Sequence, residues 1–276
     1  MTDAVTTWGV GEYPLMAQRL RSAAKRVVER ARVAPGERVL DVACGTGNAA
    51  LLAAARGAQD VVGIDIEPAL LDVAAARAAE VGAQIDWRVG DASALDAEIV
   101  ARPFDAVVSV FGVMYAADQA ATAQQLARAV RPDSGRVVLA NWSPGGLLPA
   151  MGAALAPFLP APPPDAPPPS RWGDPDAVTA LLAAARLTVV ATEREALVLS
   201  MPDRMNAVAF LVRTAGNVLA ERPRLEREGR WGQLLAALGG LVAQRDTGVD
   251  GRVALKCEYL LVEARPTPPA PTPGPA

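Results

Sequence analysis

The stretch Val39-Leu-Asp-Val-Ala-Cys-Gly-Thr-Gly-Asn48 constrains this chain more than any other part of it. Its branched apolar residues read as a buried strand, Gly45 and Gly47 supply a tight turn, and Asn48 opens a helical run from Ala49 to Arg56. A strand-glycine-helix turn is a cradle for an anion or a nucleotide. Glycine has no Cβ, so a ligand can approach the backbone, and the helix N-terminus presents N–H groups that have no partner within the helix.

Strand and helix keep alternating downstream. Val61–Ile66 reads as a second strand carrying the acid Asp65, followed by Pro68 and a helix from Ala69 to Val81 that Gly82 stops. Ile85–Asp91 is a third strand ending in an acid and Phe104–Phe111 a fourth; a helix from Asp118 to Val130 then leads to a fifth at Arg136–Trp142. Short connections in such a series argue for a parallel sheet with helices on both faces, where ligands bind beyond the carboxyl ends of the strands.

Ahead of the first strand, Trp8 to Ala31 holds an aromatic pair, Trp8 and Tyr13, and a helix with Pro14 in its first turn. By its residues this is a packing helix with Trp8 and Tyr13 as its hydrophobic anchor. Eight prolines lie between Ala156 and Ser170 and six between Arg265 and Ala276, so neither tract is expected to form helix or central strand. The first reads as an extended crossing to a helix at Pro175–Arg186. The second reads as a disordered tail, with peptide docking as the alternative. Between them come a strand from Leu187 to Thr192 that can continue through Leu199, helices at Asp203–Leu219 and Trp231–Arg245, and a strand at Arg252–Glu263.

Composition narrows the chemistry. The 276 residues contain no histidine, which removes the commonest general base and the usual zinc ligands, and with them Ser-His-Asp and Cys-His catalysis. A net charge of −3 offers no field for a polyanion, so nucleic acid is not expected as substrate. Two cysteines, Cys44 and Cys257, cannot frame a disulfide scaffold and suit a reducing cytoplasm. No secretion signal or membrane span is read from the sequence. No metal is expected.

The run Asp41-Val-Ala-Cys-Gly-Thr-Gly47 resembles the first motif of the class I S-adenosylmethionine-dependent methyltransferases, an acid followed by x-Gly-x-Gly-x-Gly, with Ala43 in place of the first glycine. The resemblance covers about residues 8 to 145 and implies a site at numbered positions of this chain. It also implies the alternative to packing for the leading helix, closure over the active site. Asp65, 20 residues after Gly45, would accept the ribose hydroxyls. Asp91 and the Ala92 amide would take the adenine, and Asp41 would orient the methionine amino group. Ala43, Cys44, Gly45, Gly47, Asn48 and Ile66 would line the cofactor, and Ser109 to Phe111 its methionine arm; Cys44 also reads as a small packing residue and Phe111 also as plain core. The run Gly112-Val-Met-Tyr-Ala-Ala-Asp118 and the ending Leu139-Ala-Asn-Trp142 are similar to small-molecule methyltransferases of the ubiquinone and menaquinone type. A nicotinamide-dependent oxidoreductase is the main rival, because Gly45-x-Gly47-x-x-Ala50 also satisfies a dinucleotide turn. The acids Asp41 and Asp91 and the lack of any Tyr-x-x-x-Lys pair count against it. A non-catalytic nucleotide-binding module is the third reading.

The resulting expectation is an α/β fold: a doubly wound, mostly parallel seven-stranded sheet with a terminal antiparallel hairpin, an N-terminal helix and a helical insertion forming a lid. Its segments are a capping helix (1–31), a cofactor-binding core (32–145), a Pro-rich crossover (146–173), the rest of the sheet (174–264) and a tail (265–276). Apolar lid candidates are Met151, Phe158, Trp172, Met205, Phe210 and Trp231, which points to a small, partly hydrophobic methyl acceptor. Tyr13 is the candidate for closing over and orienting that acceptor. In-line methyl transfer is expected to be driven mainly by proximity and orientation. A base is needed only if the acceptor must lose a proton. Without histidine it would have to be a carboxylate such as Asp118 or Glu12, Tyr13 or Tyr115 with a shifted pKa, or solvent acting on an already acidic acceptor; Asp118 also reads as a helix cap and Glu12 as a solvated residue.

Overall fold

Seven segments satisfy their backbone groups in one ladder: β1 (Arg38–Val42), β2 (Asp60–Asp65), β3 (Asp86–Val89), β4 (Ala106–Val110), β5 (Arg136–Trp142), β6 (Leu187–Met201) and β7 (Val253–Pro266). This computed structural model describes residues 7–163 and 166–268. The strand order is β3-β2-β1-β4-β5-β7-β6, parallel through β5, with β7 antiparallel to both neighbours. The direction of winding reverses between β1 and β4, which places the topological crevice above the carboxyl ends of those two strands. Central strands are apolar on both faces, as in β4 and β5, because helices cover each side.

Ten helices are present among the described residues: α1 (Tyr13–Arg30), α2 (Asn48–Ala55), α3 (Pro68–Glu80), α4 (Ala97–Ala101), α5 (Gln119–Ala129), α6 (Leu147–Leu155), α7 (Pro175–Ala184), α8 (Arg204–Thr214), α9 (Gly216–Arg227) and α10 (Trp231–Arg245). In α1 the apolar residues recur at helical spacing, and Leu20, Ala24, Val27 and Val28 are buried where the helix crosses α2, β4 and β5. Burying each of the larger ones contributes about 1.5–3 kcal/mol. Asp118, Asp174 and Asp203 each accept a first-turn N–H at 2.8–2.9 Å, stabilising α5, α7 and α8 by about 1 kcal/mol apiece.

Several expectations need correction. The segment Asp203–Leu219 is not one helix: it breaks at Ala215, and a Cβ on Gly216 would lie 1.7 Å from the Thr7 carbonyl, so the corner is pressed against the N-terminal segment. The insertion between β6 and β7 thus holds three helices. Proline does enter regular structure, since Pro169–Gly173 forms a 3-10 turn and Pro266 ends β7. Pro266 is tolerated because β5 stops pairing at Ala264, so the missing N–H costs no ladder bond on that side. Arg265 and Pro266 therefore belong to the sheet and not to a tail, whose remainder from 269 lies outside the described residues. Helix α6 was not legible; its nine residues are apolar on every face and carry no period.

The crevice depends on one tight contact. Ala43 takes a left-handed backbone (φ 54°) at the end of β1, and its methyl sits where Gly112 has none: a Cβ on Gly112 would lie 2.4 Å from the Ala43 Cβ and 2.6 Å from its carbonyl oxygen. Gly112→Ala should therefore destabilise the fold by about 1–3 kcal/mol, with Ala43→Gly restoring part of the loss, as read from urea midpoints. Additive effects of the two changes would show that this contact does not couple them.

Candidate functional site

Two carboxylates hold the glycine turn. Asp41, 1% exposed at the heart of β1, accepts the Ala50 N–H at 2.9 Å and so ties the strand to the first turn of α2. Asp65, 7% exposed at the end of β2, accepts the Gly45 N–H at 2.7 Å through Oδ2 and the Glu67 N–H at 2.9 Å through Oδ1. Each Asp65 oxygen keeps a second lone pair for a ligand. Neither acid forms an ion pair among the described residues. Burial therefore dominates both groups, raising Asp65 above the usual carboxylate range and Asp41 to about 7.

The turn itself is built for close approach. Gly45 and Gly47 adopt φ of 54° and 78°, and the Gly45 face meets only the Tyr13 ring, 3.3 Å from where a Cβ would stand. Asn48 donates to the Ala17 carbonyl at 2.7 Å and accepts from Arg77 at 3.0 Å, while Arg77 also donates to the Thr46 carbonyl and hydroxyl. The turn is thus fastened to both α1 and α3. Asp91 lies just past β3, exposed, with Oδ1 accepting the Ser93 N–H and hydroxyl at 2.8 Å. Ala92 beside it is half-buried and Ile66 is exposed, so this flank of the crevice is open. The Ser109 hydroxyl is spent inside the fold, donating to the Val42 carbonyl at 2.7 Å and accepting from Val113 at 3.2 Å.

Beside the turn is a slot of about 20 Å³ between Asp41, Ala43, Cys44, Asn48, Val110 and Tyr13. Beyond Tyr13 opens a cavity of about 470 Å³. Tyr13 lines both spaces. Aromatic rings dominate the larger one: Trp8 meets Tyr13 and Tyr115 edge-on, and Phe111 stacks on Trp142 at 3.6 Å. Among the described residues that line it, none is Asp, Glu, Lys or Arg. Met151, Met114 and Leu211 fill much of the rest.

The four side chains named as possible bases are engaged elsewhere or shifted away from that role. Asp118 is committed to capping α5 and does not line the cavity. Glu12 points outward to Arg213, which holds its carboxyl below the usual range. Tyr13 and Tyr115 are shifted in the wrong direction for a base, because burial raises both phenols. Of the lid candidates only Met151 lines the cavity. Trp172 and Phe158 are core, Met205 is 78% exposed, and Phe210 and Trp231 pack under Arg19 and Arg222. Residues Thr214 to Asn217 at the α8–α9 corner also wall the cavity, and no sequence signal marked them.

The donor set fits a cationic nucleoside: two buried acids without counterions among the described residues, a glycine turn on which the Tyr13 and Trp87 rings pack closely, and an exposed flank at Ile66 and Asp91. For an amino-acid arm to enter the slot, the Tyr13 ring must withdraw from Gly45.

Comparison with known proteins adds an independent finding. Residues 39–133 match the family model described as a methyltransferase domain. An uncharacterised protein of Mycobacterium tuberculosis is 39% identical over 176 residues, 63% of this chain and 63% of that one. The 2-phytyl-1,4-naphtoquinone methyltransferase of Synechococcus elongatus is 38% identical over 109 residues, 38% of this chain and 46% of that one. The match therefore spans less than two thirds of the length of these curated relatives. A magnesium protoporphyrin IX methyltransferase of Synechocystis, solved with bound SAH, has a TM-score of 0.52 at 16% identity, covering 91% of this chain and 83% of that one. At that identity the likeness carries the fold alone.

Asp41 gives the site a pH signature. Between about pH 4, where an unfolded Asp ionises, and about 7, the folded protein retains a proton that the unfolded chain has lost. Stability without ligand should thus fall as pH rises through that window and level off above it. Asp41→Asn should flatten the slope in urea denaturation between pH 5 and 8; an unchanged slope would show that Asp41 is not the group responsible.

Proposed function

We propose, from the premise that residues 39–133 are a methyltransferase domain on the class I S-adenosylmethionine-dependent fold, that this protein transfers the methyl group of S-adenosylmethionine to a small, uncharged, largely apolar acceptor. The observation that carries this reading is the pair of buried carboxylates, lacking any counterion among the described residues, beside a cavity walled without charge. S-adenosylmethionine supplies an activated methyl group on a sulfonium. Buried acids favour a ligand carrying ammonium and sulfonium charge over a dinucleotide with an anionic pyrophosphate. The nicotinamide reading of the Gly45-x-Gly47-x-x-Ala50 turn is accordingly not favoured, and an open cavity next to the turn argues against a purely structural nucleotide module.

In this assignment Asp65 accepts the ribose hydroxyls, Asp91 and Ala92 take the adenine edge, and Asp41 faces the amino group. Ala43, Cys44, Asn48 and Phe111 frame the arm, while Ser109 shapes that wall through its internal hydrogen bonds. Tyr13, shared by slot and cavity, closes over and orients the acceptor. Among the described residues that line the larger cavity there is no carboxylate or amine, and burial raises its Tyr13 and Tyr115 phenols. The rate must then come chiefly from holding the acceptor in near-attack geometry, where such orientation can supply about 7–11 kcal/mol. Any proton the acceptor loses leaves by the acceptor's own acidity. The uncharged cavity and the acidic net charge support a small molecule over nucleic acid. The free thiols of Cys44 and Cys257 support a reducing, cytoplasmic setting. No described helix is long and apolar enough to cross a membrane.

Titration calorimetry should show binding of S-adenosylmethionine and its demethylated product, with NAD and NADP far weaker. Asp65→Ala should weaken the cofactor by about 1–3 kcal/mol. Tight NAD binding without response to the methyl donor would contradict the assignment, as would an unchanged affinity in Asp65→Ala.

A further inference from the structure

The roof of the acceptor cavity is a segment, Thr7 to Glu12, that the cofactor assignment does not use. It carries Trp8, whose ring meets Tyr13 at 6.1 Å and Tyr115 at 5.1 Å between centroids. At one end it touches the cofactor side, where the Gly9 N–H donates to the Glu67 carboxylate at 3.2 Å and the Glu67 N–H in turn donates to Asp65. At the other it meets the α8–α9 corner. There the Glu12 N–H donates to the Arg213 carbonyl at 2.8 Å, and the Arg213 guanidinium donates through Nε and Nη2 to the two Glu12 carboxylate oxygens at 2.8 and 2.6 Å. Gly11 and Gly216 permit the approach, since a Cβ on Gly11 would stand 3.0 Å from the Arg213 carbonyl oxygen.

The two ends of α1 are held differently. Its last turn and the residues after it are moored on two little-exposed side chains: Glu263, 6% exposed, receives the exposed Arg32 at 2.7 Å, and Arg136, 8% exposed, donates to the Ala31 carbonyl and to Glu37. The roof at its first turn is held by Glu12 and Arg213, whose side chains are 52% and 56% exposed. A bidentate pair fixes geometry, but in water its strength is small and salt screens it. Phe111, Trp142, Met114 and Leu155 wall the cavity as buried side chains of the core cluster. Pro168, Pro169 and Ser170 reach it from the Pro-rich crossover, where Gln119 donates to the Pro167 and Pro168 carbonyls at 3.2 and 3.3 Å. The roof side combines cavity lining with an exposed ion-pair fastening of the kind that can open in each turnover.

We propose that Arg213 is a positioning residue: acting through Glu12, it latches the Thr7–Glu12 roof to the α8–α9 corner, and release of this latch is the door by which the acceptor enters and the product leaves. The inference rests on the reading of the 470 Å³ space as the acceptor cavity. Closed, the latch sets Trp8 and Tyr13 over the acceptor. Open, it frees the roof while α1 stays moored.

Stopped-flow fluorescence with 2-naphthol, an uncharged aromatic probe, tests the door, with S-adenosylhomocysteine titrated separately by calorimetry. In Arg213→Ala and in Glu12→Gln, probe association and dissociation should both accelerate by about two- to fivefold, the range an exposed ion pair commands. Cofactor-product affinity should not change. The charge-reversed double variant Glu12→Arg/Arg213→Glu should restore wild-type rates, an outcome that loss of packing alone does not produce. High salt should speed the wild type and leave Arg213→Ala unaffected. Unchanged rates in the single variants, or no recovery in the reversed pair, would overturn the latch. If 2-naphthol fails to bind the wild type, the acceptor-cavity reading falls and the latch with it, whereas S-adenosylhomocysteine binding would still stand for the cofactor site.

Discussion

Two buried carboxylates without cationic partners, Asp41 and Asp65, are the constraint around which the active face of this protein is arranged. Each accepts backbone N–H groups, so neither is unsatisfied, yet burial still raises the pKa of both. Glu263 shows the contrast, being as deeply buried but flanked by Arg30, Arg32 and Arg265. A fold seeking stability alone would pair such acids or replace them. Left as they are, they favour a cation at the end of β1 and β2, and on the proposed function that preference separates a sulfonium-bearing nucleoside from a dinucleotide.

The surrounding structure transmits this preference into geometry. Asp41 fixes the start of α2, Asp65 fixes the Gly45 amide, and Arg77 fastens the far side of the same turn through Thr46 and Asn48. Ala43 holds the left-handed bend that sends the chain out of β1, and Gly112 yields the space for it. These contacts meet where the winding of the sheet reverses, so the crevice follows from topology and the acids decide what enters it. Tyr13 then divides the crevice into a narrow slot and a wide apolar chamber, and the proposed function puts cofactor and acceptor on opposite sides of this one side chain.

The glycine turn, the acids at strand ends and the parallel half of the sheet were legible because each is encoded locally, in strand periodicity, in glycine spacing and in the position of an acid relative to a strand end. What failed was decided by tertiary contact. Around Ala215 the local break signal is Gly216-Asn217, and the Thr7 carbonyl pressed onto Gly216 accompanies the break. Glu12 and Asp118 were plausible bases as isolated carboxylates, but Arg213 claims one and the α5 amides claim the other. The lid candidates other than Met151 failed for a similar reason, since an apolar side chain looks the same whether it fills the core, as Trp172 does, or lies in solvent, as Met205 does. Tyr13 could be singled out as an aromatic ahead of the first strand, but its place between slot and chamber depends on how α1 crosses α2.

The most direct measurement is the pattern of backbone amide shifts on titrating the labelled protein with S-adenosylhomocysteine. If the buried acids and the glycine turn form the cofactor site, the shifts concentrate at Gly45, Gly47, Ile66, Asp91 and Ala92 and vanish at these positions in Asp65→Ala at the same ligand concentration. Binding that leaves Gly45 and Gly47 unmoved, with shifts grouped around α10 and the β6–β7 pair instead, would contradict it.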